Sequence, residues 1–163
     1  MQYQTALSLL MEQKQISIKT LVKLTNVSER WIEQILKKQN WNPWLDTVIK
    51  ISDALKINPI QFIEFAETRE FPKKKHLDPV KITPTSISST LKNIRIQKGL
   101  SQTDLVKLTH FQLSSISLRE NSRYQSFPTL STLEIYCKAF EISVSSFLLI
   151  SNKTIIIPEG CEI

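Results

Sequence analysis

The pentapeptide LVKLT occupies residues 21–25 and again residues 105–109, so one stretch of this chain recurs 84 residues further on. The same offset pairs Leu7 with Leu91, Leu10 with Ile94, Ser17 with Ser101, Val27 with Phe111 and Ile32 with Ile116. After one extra residue in the second copy, Pro43 pairs with Pro128, Leu45 with Leu130, Thr47 with Thr132, Ala54 with Ala139, Ile57 with Ile142 and Phe62 with Phe147. Most of these are core-type positions. A repeat of this kind requires two similar units in one chain, and each, at roughly 65 residues, is long enough to close a small core of its own.

The remaining composition narrows the function classes. Hydrophobic residues make up 41% of the 163 and fall at helical spacing, with no apolar run near the roughly 18 residues that would suggest a membrane span. The amino terminus lacks the basic stretch and long apolar run of a secretion signal, so a soluble, cytoplasmic protein is expected and a membrane partner is not. Cys137 and Cys161 offer no paired spacing and read as reduced thiols. With only two glycines there is no phosphate-cradling loop, and His76 and His110 lack neighbours suited to metal binding or catalysis. No cofactor and no enzyme chemistry are expected. A net charge of +6 favours an anionic partner, because long-range attraction to phosphates speeds encounter and supplies sequence-independent affinity.

Periodicity predicts an all-α chain, with helices over residues 3–14, 17–24, 28–37, 45–56 and 59–66, repeated over 86–98, 101–108, 112–120, 130–140 and 144–150. Ser17 and Ser28 are expected N-caps, Asn58-Pro59 is a strong start signal, and Ser101 with Asp104 fits a capping box. Two domains are expected, residues 1–67 and 86–151. Between them, residues 68–85 hold prolines and lysines and read as a stiff, extended basic linker, with a reach on the order of 60 Å. Lys73 to Lys75 read first as a solvated charge run and second as a phosphate contact. The β-branched residues within 152–163 read as a strand-like tail that pairs with a second chain or packs on its own domain.

Two short helices joined by a tight turn, the second opening on a polar residue, outline a helix-turn-helix. LKNIRIQKGLSQTDLVKLTHFQLSSISLREN, followed by FPTLSTLEIYCKAFEISVSSFL, resembles the DNA-binding domain of the phage repressor, Cro and Xre family. The first copy is similar but more divergent, and together the copies cover most of the chain. The resemblance implies two five-helix, lambda-repressor-like helix-turn-helix domains in tandem. In that family the third helix enters the major groove, while the start of the second helix and the loop after the third meet phosphates.

Carried over residue by residue, the resemblance makes Gln102 the backbone-contacting glutamine. It puts Gln112, Leu113, Ser114, Ser115 and Ser117 at the exposed start of the reading helix, and Asn121, Ser122 and Arg123 in the phosphate-facing loop. Glu120 matches the family's acid and is assigned to structure. In the first copy Ser28, Glu29, Arg30, Trp31, Gln34 and Lys37 belong to the corresponding helix. Arg30 suits guanine O6 and N7, Gln34 suits adenine, and Lys37, Lys38 and Asn40 suit phosphates. Glu29 and Glu33 repel phosphates unless they accept a cytosine amino hydrogen or pair with Arg30 and Lys37. Leu113 and the serines suit thymine methyls and close backbone approach. The first copy departs from the family pattern at Ile18, opposite Gln102, and at Leu36, opposite Glu120. Leu118 and Arg119 look exchanged relative to a simple core pattern. Trp44 is expected in the core, and Trp31 near the surface, on sugar and phosphate or on a partner.

These readings favour a double-stranded DNA-binding transcription regulator, acting as a repressor and as a homodimer. The alternative is an antitoxin-like or anti-repressor module whose first domain holds a partner protein. RNA binding is disfavoured because no RNA-recognition motif is present.

Overall fold

Each copy of the repeat closes as five helices in the computed structural model, which describes residues 3–37, 42–70 and 81–153. The chain divides into two units, Met1–Val80 and Lys81–Ile163. In the first, the helices are α1 (Tyr3–Gln13), α2 (Ile18–Thr25), α3 (Glu29–Lys37), α4 (Leu45–Ala54) and α5 (Pro59–Thr68). In the second they are α6 (Pro84–Gln97), α7 (Gln102–Thr109), α8 (Leu113–Arg119), α9 (Leu130–Ala139) and α10 (Val144–Lys153). Among the described residues there is no strand, and none of these helices is long and apolar enough to cross a membrane.

The cores match position by position. Leu7, Leu21, Ile32, Leu45, Val48, Phe62 and Ile63 are fully buried in the first unit, and their counterparts Leu91, Leu105, Ile116, Leu130, Leu133, Phe147 and Leu148 are buried in the second. Each such side chain contributes roughly 1.5–3 kcal/mol relative to exposure. In the first unit α1 packs on α3 and α5, and α2 packs on α3 and α4. In the second, α7 packs on α8 and α9, while α10 packs on α6 and α9.

The connections repeat as well. Left-handed backbone occurs at Gln15 (φ 53°), Asn26 (φ 56°) and Lys56 (φ 52°), and at their counterparts Gly99 (φ 67°), His110 (φ 58°) and Glu141 (φ 55°). At the turn after α2, the Asn26 N–H donates to the Val22 carbonyl, as the His110 N–H donates to that of Val106. Thr25 and Thr109 each return a hydroxyl hydrogen to the carbonyl four residues back, at 2.7 and 2.6 Å. These closures end the second helix of each unit sharply and aim the chain into the third.

Three sequence expectations are corrected. The second unit begins earlier than residue 86: Thr83 caps α6 with a reciprocal capping box to Ser86, and Pro84 sits in the first helical turn. That proline, read as linker stiffening, instead starts a helix, because its missing N–H is no loss there. Asn152 and Lys153 are helical, and the Asn152 side chain accepts from the Lys81 N–H at 2.6 Å. The rest of the strand-like tail, residues 154–163, lies outside the described residues, as do linker residues 71–80. Trp44 is not in the core: it is 49% exposed. It stands at the N-cap of α4 on extended backbone, so the next residue, Leu45, takes the buried position instead.

Candidate nucleic-acid interface

Helical geometry turns five polar side chains of α3 to one side. At 100° per residue, Glu29, Arg30, Glu33, Gln34 and Lys37 share an arc of about 140°, opposite Ile32 and Ile35. Ile32 and Ile35 are buried, while Glu29, Arg30, Gln34 and Lys37 are exposed and Glu33 is half-buried. Lys37 approaches the Glu33 carboxylate at 3.7 Å, an exposed pair one helical turn apart. The Ser28 hydroxyl accepts the Trp31 N–H at 3.3 Å, so it helps start α3. Trp31 is half-buried and lies outside the polar arc. Lys38 and Asn40 lie outside the described residues.

In the second unit the same register places Leu113, Ser114, Ser117 and Leu118 on the outward arc of α8, opposite buried Ile116. Gln112, Leu113, Ser114, Ser115 and Ser117 are all exposed, with Gln112 as the N-cap of α8. Asn121 and Arg123 are exposed in the following loop, where the Asn121 side chain accepts the Arg123 N–H at 2.9 Å. The Leu118 and Arg119 exchange has a structural cause. Leu118 is exposed, and the Arg119 guanidinium turns inward to lie 5.7 Å from the Tyr124 ring centre.

Gln102 is tied into a polar cluster that the sequence reading did not assemble. Glu120 is 6% exposed and accepts from both Arg95 Nε, at 2.7 Å, and Arg95 Nη2, at 2.8 Å. The Gln102 amide donates to the same carboxylate at 2.9 Å, and Arg95 Nη1 donates to the Leu100 carbonyl at 2.8 Å. The hydrogen bond with Glu120 raises the Arg95 pKa above its ordinary value. This two-pronged geometry satisfies a buried carboxylate and fixes the start of α7 against the end of α8. At the α7 start itself, hydrogen bonds from Ser101 hold the Asp104 carboxyl below its ordinary pKa. Arg95 was the missed residue, though a signal existed. Stepping back 84 positions turns Arg95 into Met11 and Glu120 into Leu36, a joint exchange of an ion pair for two apolar side chains.

This geometry agrees with the comparisons to known proteins. Residues 6–67 match the family model of the Cro/C1-type HTH DNA-binding domain. That span holds nearly all of α1 to α5, so the first unit is a DNA-binding helix-turn-helix domain. Residues 6–67 thus form an Xre/Cro-like helix-turn-helix domain, and a second five-helix unit of the same plan follows it in the chain. The match falls on the copy that lacks the family's glutamine and acid, so the core pattern persists without the polar cluster. No curated protein and no solved structure matches the chain.

Proposed function

We propose that the chain is a sequence-specific, double-stranded DNA-binding transcriptional repressor that uses both units. The observation that carries this reading is the match of residues 6–67 to a DNA-binding domain whose α3 exposes Arg30, Gln34 and Lys37 on one face. Arg30 is suited to the two acceptors of guanine and Gln34 to adenine, while Lys37 and Lys38 serve phosphates. The Glu33 carboxylate beside Lys37 lessens its own repulsion from phosphate. In the second unit Gln112, Leu113, Ser114, Ser115 and Ser117 form the reading surface, with Asn121 and Arg123 at the backbone. Gln102, steadied by Glu120, presents the start of α7 to a phosphate.

Repression follows from occupying a promoter, and homodimers of the chain would double the number of half-sites engaged. The test is a binding titration on a selected duplex and on random duplex across salt. Lys37→Ala with Lys38→Ala weakens binding to both and lowers the salt slope by about 1 to 2, while Arg30→Ala or Ser114→Ala loses preference at particular bases. Equal loss on selected and random duplex from Arg30→Ala and Ser114→Ala contradicts the assignment.

A second reading has one observation in its favour. Trp44 is 49% exposed beside α4, and a large exposed aromatic suits a partner protein held by the first unit. Trp44→Ala then abolishes capture of that partner and leaves duplex affinity unchanged.

A further inference from the structure

The two reading faces occupy one register and carry opposite chemistry. Glu29, Arg30, Glu33 and Gln34 in α3 stand where Leu113, Ser114, Ser117 and Leu118 stand in α8. Leu113 and Leu118 are 51% and 49% exposed, Ser114 and Ser117 are exposed between them, and the one charged residue of α8, Arg119, is turned inward onto Tyr124. Resting on the DNA-binding reading above, we propose that α8 reads thymine, so that the chain recognises an asymmetric site with a guanine-containing half under α3 and a thymine-rich half under α8.

The chemistry favours thymine over the other bases. In the major groove thymine shows a C5 methyl beside the O4 acceptor, whereas guanine shows two acceptors best met by a cation's paired donors. A hydroxyl next to a leucine matches the thymine edge: the serine donates to O4 while the leucine covers the methyl. No guanidinium or ammonium on this face can chelate guanine. Protein docking fits the stripe less well, since two serines at the centre of an apolar contact would surrender hydrogen bonds to water without a fixed replacement.

The test uses the full chain and duplexes selected from a random pool. Replacing thymines by deoxyuridine removes only the methyl groups, and replacing guanines by 7-deazaguanine removes only the N7 acceptor. The expected result is about a fourfold loss of affinity per contacted methyl in one half of the site, the worth of one buried methyl-sized group. That loss should disappear in Leu113→Ala or Leu118→Ala. The 7-deazaguanine loss should fall in the other half and disappear in Arg30→Ala. Both leucines are half exposed, so their truncation leaves the core intact, and circular dichroism verifies this. Specific binding that ignores deoxyuridine overturns the inference alone, as does deoxyuridine sensitivity that survives both leucine variants. Leucine variants that change oligomeric mass but not base preference also overturn it. Failure to retain any duplex overturns the DNA-binding reading with it.

Discussion

Arg95, Glu120 and Gln102 in the second unit face the same structural problem that Met11, Leu36 and Ile18 meet in the first, and the two solutions differ in kind. A buried carboxylate needs its cation, because removing one partner leaves an uncompensated charge at a cost of about 3–5 kcal/mol. Arg95→Met is therefore expected to destabilise the second unit by that amount. Arg95→Met with Glu120→Leu, which installs the first unit's pair, should recover that loss in full or nearly so. Circular dichroism melts measure the whole chain, while tryptophan fluorescence isolates the first unit, since Trp31, Trp41 and Trp44 all lie there. Tyr136 gives an alkaline counterpart. Burial pushes its phenol up to about 12, so the folded state favours the protonated form. That stability is complete below pH 10 and is lost as pH rises from about 10 towards 12, roughly 2–3 kcal/mol in all. An alkaline melt of Tyr136→Phe should lack this loss. At this scale the sequence was only partly legible. The family pattern marks Glu120 as structural, whereas nothing local marks its partner Arg95, which lies 25 residues earlier. Trp44 misled because proximity to a helix start does not say which residue turns inward.

Helices and their ends are more legible in the sequence, because caps and left-handed turns leave local marks. Ser17, Ser101 and Asn58 cap where expected, each accepting a backbone N–H of the first turn. Pro84 is ambiguous in sequence because proline marks both an extended linker and a first helical turn, and only the capping pair Thr83 and Ser86 separates them. Thr83→Ala should cost about 1 kcal/mol. The turn after the first helix of each unit offers a sharper comparison. Gly99 holds its left-handed backbone without a side chain, while Gln15 adopts nearly the same φ with one. Gln15→Gly is expected to stabilise the first unit by about 0.5–1 kcal/mol, since it removes a left-handed penalty of about 1–2 kcal/mol and returns part of it as chain entropy. Gly99→Ala should destabilise the second by about 1 kcal/mol. Its added methyl meets nothing within 4 Å, so the cost is confined to the backbone. Denaturant midpoints read by tryptophan fluorescence for Gln15→Gly and by circular dichroism for Gly99→Ala check the pair.

Across the whole molecule the charge is shared evenly, yet its placement is not. Residues 1–80 hold 12 basic and 9 acidic side chains, and residues 81–163 hold 9 and 6, so each unit carries the same excess. Around the helix-turn-helix the units diverge: α2 and α3 bring Lys19, Lys23, Arg30 and Lys37 against Glu29 and Glu33. In the second unit α7 and α8 hold Lys107 and Arg119 against Asp104: Lys107 lies 3.6 Å from Asp104, as Lys37 lies 3.7 Å from Glu33, Arg119 is turned onto Tyr124, and Arg123 follows in the loop. On the proposed reading, sequence-independent attraction to DNA falls mainly to the first unit and uncharged base reading to the second. The repeat made the two-unit plan legible, because a core pattern survives even where polar positions have changed. Site chemistry was less legible, since it depends on which side chains an ion pair or an inward turn withdraws from solvent. The most direct measurement is selection from a randomised duplex pool by the full-length protein at near-physiological salt. Enrichment of a defined motif with a guanine contact in one part and a thymine run in another, lost separately in Arg30→Ala and Leu113→Ala, is the predicted result. Retention of duplexes with no sequence in common, or of none at all, would contradict it.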